Sequence, residues 1–153
     1  MAAKILMLQG TASHVGKTTL AAGLCRLYRR RGWKVGPFKA QNMSSLTHRL
    51  PDGRPIGVGQ AVQAFAAGLA PDSRMNPVCL CPGEQGMTMY LHGWRLPPDE
   101  AEGFYRNPQR LMKEVLGDFA AYAAGKDLLL IEGAGSPAEL NLMGRDIANT
   151  LLA

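Results

Sequence analysis

Apolar positions along this chain fall into two patterns, and each predicts a different element. Ile5-Leu6-Met7-Leu8 and Leu128-Leu129-Leu130-Ile131 are uninterrupted runs that read as strands. The second, lying between Asp127 and Glu132, reads as a strand buried on both faces. Elsewhere the spacing is helical. Leu20, Leu24, Leu27 and Tyr28 predict a helix over 17–31, with Arg26, Arg29 and Arg30 mostly off the stripe and Gly32 as its C′ residue. Leu111, Met112, Val115, Leu116, Phe119 and Ala123 predict a second long helix, opening at Asn107-Pro108 and ending at Gly125, with the stripe serving core packing. Trp33 to Phe38 reads as a strand, Gly57 to Gly68 as a short Ala-rich helix using Ala61, Phe65 and Ala66, and Met87 to His92 as a further strand. Residues 47–55 read as a turn-rich connection and 71–82 as irregular or extended, while Pro97-Pro98 punctuates the chain. A strand, a helix and a strand in so few residues predict a right-handed parallel crossover, hence an α/β fold with a parallel sheet flanked by helices.

The junction between the first strand and the first helix carries the strongest chemistry. Gly10-Thr11-Ala12-Ser13-His14-Val15-Gly16-Lys17-Thr18-Thr19 has the glycine boundaries and Lys-Thr of a phosphate-binding loop, in the strand-loop-helix context such a loop requires. Backbone N–H groups of the loop and the positive end of the following helix suit a polyphosphate. Lys17 is placed to reach the outer phosphates, and the Thr18 hydroxyl to complete the shell of a magnesium ion. The spacing departs from the usual one, with five residues rather than four between the glycines.

Two further strand ends matter for the same reason, since open parallel sheets bind ligands at their carboxyl edge. Lys39, Gln41 and Asn42 follow the second strand, in a polar segment that reads as a loop able to grip carboxylates or a triphosphate. Glu132, followed by Gly133-Ala134-Gly135, ends the buried strand and suits a carboxylate that meets magnesium beside the phosphate loop. Glu139 and Asp146 are nearby acids with no assigned role.

Composition narrows the class. The 153 residues are in the range of one domain, and 46% apolar with 19% charged residues is a globular rather than a disordered balance. A formal charge of +5 and a pI near 9.4 favour anionic partners, with nucleic acid, nucleotides and polycarboxylates as candidates. Arg29-Arg30-Arg31 reads as a solvated helix end complementing the dipole. Three cysteines, no apolar run approaching ~18 residues and no leader-like N-terminus predict a cytoplasmic protein without a membrane partner, and no nucleic-acid partner is expected. Cys79 and Cys81 put two thiols on one face of an extended segment, where packing is the default role, and His92 reads as structural or solvated.

Taken together, Gln9-Gly10-Thr11-Ala12-Ser13, Gly16-Lys17-Thr18, Pro37 to Met43, Met75-Asn76-Pro77-Val78 and Glu132 to Glu139 resemble the N-terminal synthetase domain of the cobyric acid synthase family, along almost the whole chain. The phosphate loop alone also fits dethiobiotin synthetase and cobyrinic acid a,c-diamide synthase, and the five-residue gap is the form seen in these relatives. The resemblance implies a P-loop, dethiobiotin synthetase-like fold and a role in cobalamin biosynthesis. ATP would phosphorylate side-chain carboxylates of cobyrinic acid a,c-diamide, and glutamine-derived ammonia would convert them to amides. It also implies ATP and Mg2+ as cofactors and a phosphate cradle of Gly10, Thr11, Ser13, Gly16, Lys17, Thr18 and Thr19. Thr18 and Glu132 would hold the metal, Lys39 would neutralise charge between γ-phosphate and carboxylate, and Gln41 and Asn42 would be substrate-side donors.

Departures from that pattern are His14 in place of an acid, Cys81-Pro82-Gly83 in place of Lys-Pro-Thr, and Gly144 in place of an acid. Family members continue into further strands and a glutaminase domain. A chain of residues 1–153 is therefore expected to be a fragment, inactive alone, with a glutaminase or C-terminal chain as its missing partner. The alternative from another class is a ParA/MinD-like regulatory ATPase. It would call for a second lysine early in the loop, where Thr11, Ala12 and Ser13 stand, and for a basic or amphipathic tail.

Overall fold

The structure is a computed structural model that describes residues 2–83 and 86–134. Its centre is a parallel sheet of three strands in the order β1-β9-β2, formed by β1 (Lys4–Leu8), β2 (Val35–Phe38) and β9 (Leu128–Glu132). The last of these is the middle strand, and all five of its residues are buried, as an unbroken apolar run requires. Strands β1 and β2 are parallel to each other, joined by helix α1 (Lys17–Arg30), with β9 inserted between them.

Side chains alternate across a strand, so β9 feeds two cores. Leu129 and Ile131 join Phe38, Val115 and Tyr122 on one face, which is covered by α3 (Pro98–Arg106) and α4 (Pro108–Ala123). Leu128 and Leu130 join Val35, Ala21 and Cys25 on the other, covered by α1 and α2 (Val58–Ala67). Continuing the alternation, Glu132 falls on the α1 face. On β2 the same count puts Val35 and Pro37 on the α1 face, and Lys39 follows them.

The predicted strands and the helices beginning at 17, 57 and 107 are present, but α1 is rotated relative to its predicted stripe. Ala21 and Cys25 are wholly buried, whereas Leu20 and Leu27 are 55% and 42% exposed. The helix lies against α2 as well as the sheet, and small residues on its inner ridge allow that close approach. Phe65 on α2 and Leu116 on α4 are likewise more exposed than their periodicity predicted. Gly32 does terminate α1, at φ 84°, beyond the exposed Arg29 to Arg31. Asn107 accepts from the Arg110 N–H at the start of α4, with Pro108 at its first position.

Three segments differ from the sequence reading. Gln41–Met43, expected to be a loop, is a strand (β3) held parallel to β6 (Val78–Gly83), which continues antiparallel into β7 (Gly86–Leu91) and β8 (Trp94–Arg95) as a second sheet. The connection over 47–55 contains a short hairpin, β4 (Thr47–Arg49) with β5 (Pro55–Gly57), around Pro51-Asp52-Gly53. Pro98 opens α3 rather than merely interrupting the chain, with Asp99 and Glu100 in its first turn. Glu139, Asp146, Gly144 and the 135–139 part of the quoted motif lie outside the described residues.

Candidate functional site

Between Leu8 and Lys17 the chain forms an exposed loop that doubles back onto α1. His14 and Gly16 both take positive φ, 62° and 93°, and Gly16 is the N-cap residue. A side chain at φ 93° would be strained, which explains glycine there. No side chain caps α1 and its first turn carries no acid, so its leading N–H groups and dipole face the loop. Lys17 folds back, its Nζ donating to the Ala12 carbonyl at 2.8 Å. Thr11, Ser13 and Thr19 are exposed, while Gly10, Lys17 and Thr18 are half-buried.

Glu132 ends β9 opposite Leu8, and the Gly133 N–H donates to the Leu8 carbonyl. Its carboxylate is 2% exposed and collects three donors. Thr18 Oγ1 donates to Oε1 at 2.9 Å, Lys39 Nζ donates to the same oxygen at 2.8 Å, and Gln63 Nε2 donates to Oε2. Four side chains from α1, β9, α2 and the residue after β2 thus meet at the carboxyl edge of the parallel sheet. Hydroxyl and carboxylate oxygens are the hard ligands magnesium takes, so the Thr18 and Glu132 donor set fits that ion.

Helix α2 completes the edge, which sequence reading did not foresee. A Cβ on Gly59 would stand 2.9 Å from Thr18 Cγ2, so α2 approaches the start of α1 closely. A Cβ on Gly57 would meet Asn42 Nδ2 and Gln60 Oε1, so these two amides flank the beginning of α2. Among the described residues, buried Gln60 has neither amide atom bonded, and Gln63 Oε1 is also without a partner. The Asn76 side chain accepts from Gly57 N–H and donates to the Lys39 and Val78 carbonyls, tying this strand end to α2. The available signal was Gln60 and Gln63, two amides three residues apart in an Ala-rich stripe. The partner of Gln63 is distant in sequence, 69 residues away at Glu132. Gln41 and Asn42 sit on β3, in the second sheet, Gln41 half-buried and Asn42 8% exposed.

A cavity of about 460 Å³ lies apart from this edge and is lined by Asp52, Arg54, Asp72, Arg74 and His92 among others. Its charges are satisfied locally. Arg54 pairs with Asp52 at 2.7 Å, Arg74 chelates Asp72, and His92 Nδ1 lies 2.6 Å from Asp118 Oδ2. Hydrogen bonds from Arg74 hold the Asp72 carboxyl below its usual range. His92 therefore has partners on α4, Asp118 and Glu114, that its sequence neighbourhood did not reveal.

Comparison with known proteins agrees with this geometry. The family described as "CbiA: CobQ/CobB/MinD/ParA nucleotide binding domain" matches residues 6–149. Among curated proteins, the cobyric acid synthase of Desulforudis audaxviator is 47% identical over 100% of this chain and 31% of its own length. That of Thermodesulfovibrio yellowstonii is 45% identical over 99% of the chain and 31% of its own length. The Paracoccus denitrificans cobyric acid synthase is 51% identical over 94% of the chain and 30% of its own length. The chain therefore spans about a third of the length of these relatives. With a phosphate loop ahead of α1 and an acid closing the central strand beside it, the chain belongs to the CobQ/CobB/MinD/ParA nucleotide-binding domain family.

Proposed function

We propose that this chain is the nucleotide-binding part of a cobyric acid synthase, acting in cobalamin biosynthesis by phosphorylating corrinoid side-chain carboxylates with ATP. The observation that carries this reading is the convergence of Thr18 and Lys39 on Glu132 at the phosphate loop. Phosphoryl transfer depends on positioning and charge neutralisation more than on covalent help from the protein. The loop from Gly10 through Gly16, with Thr11 and Ser13, wraps the phosphates, and the α1 N-terminus with Lys17, Thr18 and Thr19 faces them. Thr18 and Glu132 would hold Mg2+, which would supply positive charge to offset that of the phosphates. Lys39 leaves one oxygen of Glu132 to stand between the γ-phosphate and the incoming carboxylate. Gln41 and Asn42 donate to the corrinoid.

In that arrangement a carboxylate oxygen attacks the γ-phosphorus as the bond to ADP breaks, leaving an acyl phosphate. Ammonia then displaces phosphate to give the amide. Ammonia derived from glutamine would be supplied from outside this chain. The test is calorimetry of ATP binding with and without Mg2+, on the chain and on Lys17→Ala and Glu132→Gln. Saturable binding is expected, abolished by Lys17→Ala and stripped of its Mg2+ dependence by Glu132→Gln. Binding indifferent to both changes would overturn the reading.

A further inference from the structure

Outside the candidate site, one pair of nucleophiles is brought together by the fold. Cys79 and Cys81 lie two apart on β6, so both thiols project from one face, and their sulfurs are 3.6 Å apart. Cys79 is 1% exposed, whereas Cys81 is only half-buried. The pair is also well placed. Cys79 is the cross-strand partner of Asn42, and the charge of Lys39 reaches its thiol. Two residues of strand span ~6.4–6.8 Å between Cα atoms, which falls within the ~4.4–6.8 Å range a disulfide bridges. Closing the sulfurs to ~2.05 Å also requires the Cβ atoms to approach to ~3.5–4.5 Å, closer than same-face neighbours on a regular strand, so forming the bond bends β6 locally at these two residues.

We propose that Cys79 and Cys81 form a thiol–disulfide modification site, oxidised by small disulfides of the glutathione type, with Cys81 as the attacking thiol and Cys79 as the resolving one. Cys81, the more accessible, attacks one sulfur of the reagent, making a mixed disulfide and expelling one reagent thiolate, which takes up a proton. Cys79 then loses its proton to solvent, attacks Cys81 Sγ and expels the second reagent thiolate. The protein gives up two electrons and the reagent gains them, so that one reagent disulfide becomes two thiols. Burial and the neighbouring thiol push Cys79 up to about 12, so its thiolate is scarce and the second step is the slow one. Oxidation at this place alters the strand opposite Asn42. The inference does not depend on what that residue binds.

The experiment is peptide mass analysis of the purified protein, alkylated before and after equilibration with oxidised glutathione. The reduced protein is expected to alkylate at Cys81. After oxidation, the peptide spanning both residues should be lighter by a pair of hydrogen atoms and resist alkylation, and excess reduced glutathione should restore it. Cys79→Ser should instead retain glutathione on Cys81, while Cys25, wholly buried, stays unmodified. A stable glutathione adduct on wild-type Cys81, or thiols that remain alkylatable throughout, would overturn the proposal; both outcomes are read on wild type, whether or not the variant folds.

Discussion

Glu132 shows how one residue comes to depend on elements far from it in sequence. A carboxylate that is 2% exposed is tolerable because Lys39 neutralises it and Thr18 and Gln63 donate to it. Removing one member of a buried ion pair leaves the other charged and uncompensated, a loss of about 3–5 kcal/mol. Lys39→Ala should fall at the lower end of that range, because two donors remain, and urea unfolding measures it. A loss under about 0.5 kcal/mol would mean the pair behaves as a surface bridge. The acid and the lysine were legible in the sequence because each ends a recognisable strand. Gln63 was not, because a buried glutamine in an Ala-rich helix is identified only by the partner the fold brings to it. A second residue-scale prediction concerns Cys25, whose thiol burial pushes up to about 12. An acid raised on folding holds its proton longer in the native state than in the unfolded one. Its contribution is complete below about pH 8.5 and is lost as pH rises towards 12. Stability measured by urea at successive alkaline pH values should fall less steeply for Cys25→Ala than for wild type, by up to about 1.4 kcal/mol per pH unit. Parallel slopes would show that Cys25 does not ionise on unfolding in that range.

At the scale of elements, legibility follows the strength of the local signal. β1, α4 and β9 carry unbroken apolar runs or long periodic stripes, and the sequence predicts them. β3 and the β4–β5 hairpin have three-residue strands of mixed polarity, held by pairing with Val78 to Leu80 and with each other, so tertiary contact rather than local preference makes them strands. α1 was legible as a helix but not in its rotation, because periodicity weights large apolar residues and the helix buries Ala21 and Cys25 against α2. The same close approach makes the spacing between α1 and α2 testable. Gly59→Ala would place a methyl 2.9 Å from Thr18 Cγ2, and relief must come from Thr18 or from a shift of α2. Overpacking of this kind costs roughly 1–3 kcal/mol. Because Thr18 donates to Glu132, the variant should weaken Mg2+-dependent nucleotide binding more than Gly117→Ala, which adds a methyl on α4 where nothing lies within 4 Å. Equal binding by both variants would show that α2 does not set the position of Thr18.

Across the whole molecule, β9 joins two cores through alternate side chains, and its end delivers Glu132 to the ligand edge. Folding of both faces and assembly of the site are therefore expected to be one event, and a ligand that needs the site should stabilise the entire chain. A ligand bound only by the native state adds about 2.7 kcal/mol at one hundred times its dissociation constant. Mg-ATP should therefore raise the unfolding midpoint of the wild-type protein by several degrees, with far-UV circular dichroism and tryptophan fluorescence moving together. Trp33 and Trp94, in separate parts of the fold, make fluorescence a report on more than the loop. Lys17→Ala is the informative partner. Its side chain is partly exposed and donates to a loop carbonyl, so in the absence of nucleotide its midpoint should stay close to wild type. With nucleotide, its shift should vanish. A Lys17→Ala protein that still gains stability from Mg-ATP would place the nucleotide somewhere other than this loop.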